Sequence, residues 1–426
     1  MTSVAPTGLE LPKSDQNHDR LAAILKEAAG IRGISLWQDA RRRLRKNRAA
    51  MASLVILVIV SLLAFLTPFL PLQSPLYQNT KSRMFLSPGL QTVPLSVKDP
   101  RTSEVIPYSQ AVRQHHEKLQ AAKTDVEKLA SLPATTPDLE VRLTAKRNEL
   151  QAVQQSHPRE RLWHHPGPLA RLLITGRTAI FGDYSVPSIC GTDKLGRDVL
   201  SRIFWGSRVS LVVGVVATLV SLIIGVSYGA TAGHVGGWVD AAMMRIVDVL
   251  YSIPFIFIVI FLITILSQDD VRRKLDSLGI NQIMIFYILI GAIYWLTMAR
   301  VVRGQVISLK HEPFIDAART IGAGRGRIIF RHLIPNVLGI VIVYLTLTIP
   351  SVMLFEAFLS FLGLGVQPPD VSWGLLVNEA VEVITPIRVF WWLVVFPGLT
   401  LALTLFALNF LGDGLRDALD PKMKNR

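Results

Sequence analysis

Residues 314–336 read FIDAARTIGAGRGRIIFRHLIPN, a basic, helix-prone stretch held between two apolar runs. Asp316-Ala317-Ala318 opens it, Gly322 follows four residues beyond Ala318, and Pro335-Asn336 closes it. The composition predicts a short helix–turn–helix on an otherwise membrane-embedded chain. Such an element has to dock onto something in the aqueous compartment. Which compartment that is depends on the rest of the sequence.

Half of the 426 residues are hydrophobic, more than an ordinary soluble domain carries once the charged share falls this low. Several uninterrupted apolar runs reach the roughly 20 residues that cross a bilayer as a helix. These features predict an integral membrane protein. The net charge of +14 does not argue for nucleic acid, because the basic residues cluster beside the apolar runs instead of forming one face with interleaved aromatics. A single cysteine, Cys190, excludes an intrachain disulfide and leaves the redox compartment open.

Residues 1–30 are polar, with a short apolar patch at Leu21–Leu25 that reads either as a frayed tail or as an interfacial helix. Then Arg41, Arg42, Arg43, Arg45, Lys46 and Arg48 crowd together after Trp37. Charge this dense is retained in the cytoplasm, and Trp37 and Leu44 share one helical face suited to the interface. The 1–48 tail leads into a first span, 49–71, terminated by Pro68 and Pro71. Its position and length predict a retained anchor and not a cleaved signal peptide.

A polar insertion, 72–205, follows on the opposite side. Val112, Leu119 and Val126 repeat every seven residues, with Ala122 and Leu129 on the neighbouring seam. After the turn LPATTPD, a second pattern carries Leu139, Leu143, Leu150 and Val153. Thr136 is suited to cap that helix, with Pro137 at its first position and Asp138 complementing the dipole. The pair predicts an antiparallel helical hairpin over about 108–155, too short to be stable without support.

A second span is expected near 209–228, a third centred on 253–265 around Pro254, and a fourth near 283–298. A fifth, 337–361, is interrupted by Pro350, and a sixth, 390–410, by Pro397, before the tail at 413–426. The core is thus 206–412. Six spans and a retained N-terminus place both termini and the 314–336 segment in the cytoplasm. That segment's loop carries Arg300, Arg303, Lys310, Arg319, Arg325, Arg327 and Arg331 against Glu312 and Asp316. Long translocated insertions escape the same rule. Asp248, Glu356 and Asn409 lie within or beside spans and are expected to face protein or a water-filled path.

No site for covalent chemistry emerges. GAGRGR at 322–327 lacks the lysine and preceding strand of a phosphate loop, so its glycines read as a bend. His115-His116 and His164-His165 are adjacent pairs, which places no two rings on one helical face. Asp193 and Asp198 in GTDKLGRD read as a turn and a helix cap.

Asp316, Ala317, Ala318, Gly322 and Pro335 resemble the EAA loop of permease subunits in bacterial ABC importers. Asp316 stands for the usual Glu, Ile334 for the Leu and His332 for the Ile of that pattern. SLWQDARRR at 35–43, GTDKLGRDVLSR at 191–202, FEAFLSFLGLGVQPP at 355–369 and LNFLGDGLRDALDPK at 408–422 narrow the likeness to the oligopeptide/dipeptide permeases. Within these the set resembles the "C" permease subunit. The likeness covers 35–70 and 185–422; the stretch 75–180 departs from it.

The resemblance implies an all-α membrane protein of the type I ABC importer permease fold, six transmembrane helices with an inserted extracytoplasmic hairpin. It implies a non-enzymatic subunit of a bacterial inner-membrane peptide importer, in a heterodimer with a second permease. Two ATP-binding subunits would power the permease pair, one of them docking on the 314–336 loop, Gly324 included, and an extracytoplasmic binding protein would deliver the peptide. ATP and Mg would belong to those partners, with no cofactor or metal on this chain. Pro254, Pro350, Glu356 and Pro397 are the candidate pore or gating residues. The competing readings are an ATP-independent secondary transporter or channel, and a membrane-anchored scaffold working through the hairpin. Deleting about 105–155 separates the last from a permease, because only a scaffold loses its function.

Overall fold

The computed structural model describes residues 36–99, 104–132, 138–163, 166–266, 268–277 and 282–419. The 21–25 patch, the Thr136 cap, His164-His165 and the last tail residues lie outside these. The described chain is helical apart from one two-stranded ladder, β1 (Ser96–Lys98) against β2 (Val105–Pro107), antiparallel with Val97 opposite Ile106.

The basic N-terminal segment forms α1 (Leu36–Lys46), where Asp39 and Arg43 pair one turn apart at 2.8 Å. The Asn47 side chain then accepts the Ala50 amide at 3.2 Å and starts α2 (Arg48–Leu66). This helix ends at Leu66, inside the expected 49–71 span and ahead of Pro68, whose ring cannot continue the hydrogen-bond ladder.

Among the described residues five helices are long and apolar enough to cross a membrane: Arg48–Leu66, Val199–Val235, Met284–Leu309, Arg325–Phe361 and Trp391–Leu419. They are α2, α7 (Val199–Val235), α11 (Gln282–Leu309), α13 (Arg325–Phe361) and α15 (Trp391–Leu419) once the short elements are counted. The expected third span differs. Pro254 does not sit inside a helix but between α8 (Gly237–Ser252) and α9 (Phe255–Leu266), which meet at 80°. Only the bent pair taken together amounts to a sixth span, since α9 alone rises about 18 Å.

The expected boundary at Pro335 also moves. α13 runs without a break from Arg325 to Phe361, with a π-helical turn over Ile328–Leu333. Wide i→i+5 spacing makes room for the Pro335 ring, and the Asn336 side chain donates to the His332 carbonyl at 2.6 Å. Pro350 and Pro397 are buried inside their helices.

Small residues set the tightest helix contact. Gly225, Gly229 and Gly233 recur every four residues along α7 and face Met298, Ala299, Arg303 and Val306 of α11. On α11, Gly291 faces Ala217 in return, where an added Cβ would lie 2.6 Å from the Ala217 carbonyl. Close backbone approach of this kind drives helix association in lipid, where burial of apolar surface supplies little.

The insertion has its own core of Leu95, Val97, Tyr108, Ala111, Leu162, Trp163 and Ile174. It contains α3 (Tyr108–Ala130), α4 (Leu139–Gln155), α5 (Pro158–Leu162) and α6 (Pro168–Phe181). Arg177 of α6 is buried and donates to the carbonyls of Leu70, Leu72 and Tyr184, fixing the exit of α2. α3 and α4 lie side by side and antiparallel, with Lys146 3.3 Å from Asp125 and the His115 and His157 rings 4.9 Å apart. Of the expected seam residues of α3 only Ala122 is buried, and the Val and Leu positions are half-buried. Asp138 has φ 58° and precedes α4 instead of lying in its first turn.

Phe85 of the insertion stacks on Phe390 at 4.0 Å, and the Trp392 indole donates to the Thr192 carbonyl at 3.2 Å. The insertion and the 362–390 loop therefore share one side of the bundle, called outer below. The remaining helices are α10 (Asp269–Ser277), α12 (Pro313–Thr320) and α14 (Trp373–Val381).

Candidate functional site

The 314–336 segment folds as α12, a turn, and the first turns of α13. The turn is a Schellman closure: Gly322 N–H donates to Arg319 at 2.9 Å and Ala323 N–H to Ala318 at 3.0 Å. Gly322 has φ +81°, and space around it is open, so the backbone conformation alone demands glycine there. Gly324 has ordinary extended geometry and precedes α13.

The segment has two faces. Ile315, Ile328, Ile329 and Leu333 are buried against Val226 and Ala230 of α7 and Met298, Val302 and Val306 of α11, and Ala318 is buried as well. Asp316, Ala317, Arg319 and Pro335 point to solvent, with Arg319 bridging Asp316 at 3.0 Å. The two alanines thus divide: Ala318 lets α12 lie close on the bundle, and Ala317 leaves the outward surface low. Ile334 is half-buried. The exposed apolar side chains of the segment are Phe314, Ile321 and Phe330, with Ile321 85% exposed. Sequence reasoning passed over these three, although bulky apolar residues inside a basic loop were a visible signal.

On the outer side the structure brings together residues that the sequence kept apart. Asp193 accepts the amides of Leu195 at 2.8 Å and Arg197 at 2.9 Å, the turn expected of GTDKLGRD. Its second oxygen meets Arg197 at 2.6 Å and Arg202 at 2.8 Å. Glu379 of α14 completes the group, 2.9 Å from Arg197 and in contact with Arg202. Burial by itself would raise the Glu379 carboxyl, but the guanidiniums of Arg202 and Arg197 outweigh it and hold it below its ordinary value. Nothing in the spacing of 193–202 foretold Glu379.

Asp198 caps α7, with Oδ2 accepting the Ser201 amide at 2.7 Å. Its Oδ1 is buried without a hydrogen-bond partner, and burial pushes the carboxyl up to about 6 against the pull of that amide. A folded-state value above the unfolded one means that stability falls as pH rises from 3.8 to about 6, where the penalty is complete. Asp198→Asn keeps the cap and removes the charge. It is expected to stabilise the protein by about 2–3 kcal/mol at pH 8 and to lose that advantage below pH ~4, read as the midpoint of thermal unfolding in detergent. Burial also pushes the Cys190 thiol up to about 12, which leaves it protonated and chemically idle.

The candidate gating residues are not gathered at one point. Glu356 is buried inside α13, accepts from Ser360 at 2.8 Å, and is reached by the hydroxyls of Ser210 and Ser372. It joins α13 to α7 and the start of α14 and faces packed protein within this subunit. Asp248 pairs with Arg300 at 2.9 Å, and Arg300 lies 4.4 Å over the Tyr251 ring, beside the break at Pro254. Asn409 is exposed and donates to the Leu405 carbonyl of its own helix.

Long apolar helices around a glycine-packed centre, with a buried-backed loop exposed to solvent, define a multi-pass membrane protein. Comparison with known proteins sharpens this. Residues 225–425 match the family described as binding-protein-dependent transport system inner membrane component, and residues 35–88 the N-terminal TM domain of oligopeptide transport permease C. The chain is 49% identical over 232 residues to the oligopeptide transport system permease protein OppC of Haemophilus influenzae, covering 54% of this chain and 70% of that one. With the Escherichia coli protein of the same name it shares 36% identity over 396 residues, 93% and 94% of the two chains. The dipeptide transport system permease protein DppC of Bacillus subtilis is 44% identical over 234 residues, 55% and 68% of the two. The chain belongs to the oligopeptide/dipeptide branch of the ABC importer permeases. It is an all-α, multi-pass membrane permease subunit.

Proposed function

We propose that this chain forms half of the translocation pore of an ATP-driven peptide importer. The 314–336 loop receives a separate ATPase subunit. Phe314, Ala317, Ile321 and Phe330 supply the docking face, and Asp316, Gly322, Gly324, Ile334 and Pro335 hold its shape. A second permease completes the pore, two ATPases carry ATP and Mg, and a binding protein delivers peptide from the outer side. The loop side, with both termini, is the cytoplasmic face of a bacterial inner membrane, and the chain itself catalyses nothing.

The observation that carries this reading is the two-faced seat of α12. Its inner residues are locked to α7 and α11 while the outer face exposes Phe314 and Ala317 beside the Asp316–Arg319 pair, so a push on the loop is delivered to the membrane helices. The segments around Pro254, Pro350 and Pro397 are where those helices yield. Movement of packed helices by a bound partner requires a rigid contact of this kind. An ion-driven transporter has no use for an apolar docking face on the loop side.

Two substitutions test it in the reconstituted importer. Gly322→Val forces a β-branched residue to φ +81°, at a cost of roughly 1–2 kcal/mol, and tilts α12. Ile321→Glu leaves the backbone intact and places a charge on the docking face. Both are expected to lower peptide uptake at least tenfold, the order of a lost 1.4 kcal/mol in coupling, with unaltered binding-protein affinity. ATPase assembly and uptake at wild-type levels in Ile321→Glu would refute the docking assignment.

A further inference from the structure

A cavity of about 320 Å³ opens where the insertion meets the outer ends of α7 and α11. Leu76 and Trp163 of the insertion, Trp205 and Val209 of α7, and Tyr287 of α11 line it, and Asp370 stands on the outer-loop wall. Arg208 also lines it. Its guanidinium lies 5.0 Å over the Trp205 ring and makes no ion pair or hydrogen bond with any described residue. Arg177, Arg197, Arg202 and Arg83 of the same region all have hydrogen-bond acceptors. A half-buried cation left with five unused donors calls for an anionic partner.

The surroundings specify what carries that anion. Arg208 is the last charged residue of α7 before its apolar stretch begins, which places the guanidinium at headgroup depth. Val212 lines the cavity mouth and is exposed, and Val215, Leu219 and Ile223 continue from it along one exposed face of α7. Spacings of three and four residues keep these side chains on a single stripe. A cation with two tryptophans at the membrane boundary, continued by an apolar track toward the bilayer centre, matches a phosphate head joined to an acyl chain.

We propose that this cavity is a phospholipid site on the leaflet facing the insertion, with the lipid phosphate on Arg208 and one acyl chain along the Val212–Ile223 stripe. The lipid then fills the joint between the insertion and α7, so that the insertion rests on the membrane as well as on protein. This assignment concerns occupancy and is independent of what the importer carries.

The test uses the full importer in nanodiscs containing phosphatidylglycerol or phosphatidylethanolamine with a diazirine on the acyl chain, and diacylglycerol with the same diazirine as the phosphate-free control. Cross-links mapped by proteolysis and mass spectrometry are expected at Trp205–Ile223 with both phospholipids, and about fivefold fewer with diacylglycerol, the effect of one basic contact at a membrane surface. Arg208→Gln should reduce the phospholipid cross-links by a similar factor and Arg208→Lys should restore them, with unfolding midpoints confirming that each variant is folded. Equal labelling in Arg208→Gln, or equal labelling by diacylglycerol, overturns the proposal. Displacement of the phospholipid by millimolar inorganic phosphate or glycerol phosphate also overturns it, by assigning Arg208 to a soluble anion.

Discussion

Gly229→Val is expected to lower the thermal midpoint of the detergent-solubilised protein by several degrees or more and to abolish uptake in the assembled importer. A Cβ at Gly229 would meet the Ala299 carbonyl and lie 3.0 Å from the Arg303 amide nitrogen. Both are backbone atoms in the middle of α11, so no side chain can swing aside. The two helices must separate, and contacts at Gly225 and Gly233 open with them. Overpacking of this kind costs roughly 1–3 kcal/mol, and in lipid little apolar burial compensates for it. Val226, Ala230, Val302 and Val306 beside the stripe seat Ile315 and Leu333 of the coupling segment, so parting α7 from α11 also loosens α12. Gly304→Ala on α11 is the control, because an added Cβ there meets nothing within 4 Å. That variant should match or exceed the wild-type midpoint, since alanine is the better helix former by about 1 kcal/mol. If Gly229→Val unfolds no earlier than Gly304→Ala, glycine packing does not hold this pair together.

What could be read in advance followed from how local each signal was. The long apolar helices announced themselves by length, and the coupling segment by residue types that only a turn and a close approach require. Proline is tolerated inside a span, so Pro254 by itself does not foretell that the chain turns by 80° at that point. Arg325, Arg327 and Arg331 concealed the true start of α13, because charge marks where a helix leaves the membrane and not where it ends. The four-residue repeat Gly225, Gly229, Gly233 was in plain view. Hydropathy marks a span but not the face of it that packs. Glu379 and Arg202 stand 177 residues apart in the chain, and no periodicity joins them. Arg208 was hidden for a different reason: it is defined by the acceptor it lacks.

Arg202→Met is expected to cost about 3–5 kcal/mol, the range for removing one partner from a buried ion-pair group. In the wild type two guanidiniums face two carboxylates, Arg197 and Arg202 against Asp193 and Glu379, with Arg202 only 1% exposed. Removing Arg202 leaves two buried carboxylates on Arg197 alone. The pH dependence identifies the cause. The Glu379 carboxyl lies below its ordinary value of 4.5, so the wild type keeps this contribution above that value and loses it only as pH falls through the depressed one. In Arg202→Met the larger of the two charges that outweigh burial is gone, Glu379 titrates higher, and protonation relieves the repulsion. Asp198, raised to about 6, gives the wild type and the variant the same gain on going from pH 7 to pH 5, so the variant should regain more stability than the wild type over that range. Glu379→Gln is the milder lesion, because Arg202 keeps Asp193 at 2.8 Å, and adding it to Arg202→Met should recover much of the loss. Unfolding midpoints of the two single variants and the double variant across pH 5–8 give the coupling directly. A pH-independent loss in Arg202→Met would assign the residue a packing role only. The group ties the first turn of α7 to α14, so its loss frees the outer loop from the helix that also anchors the coupling segment.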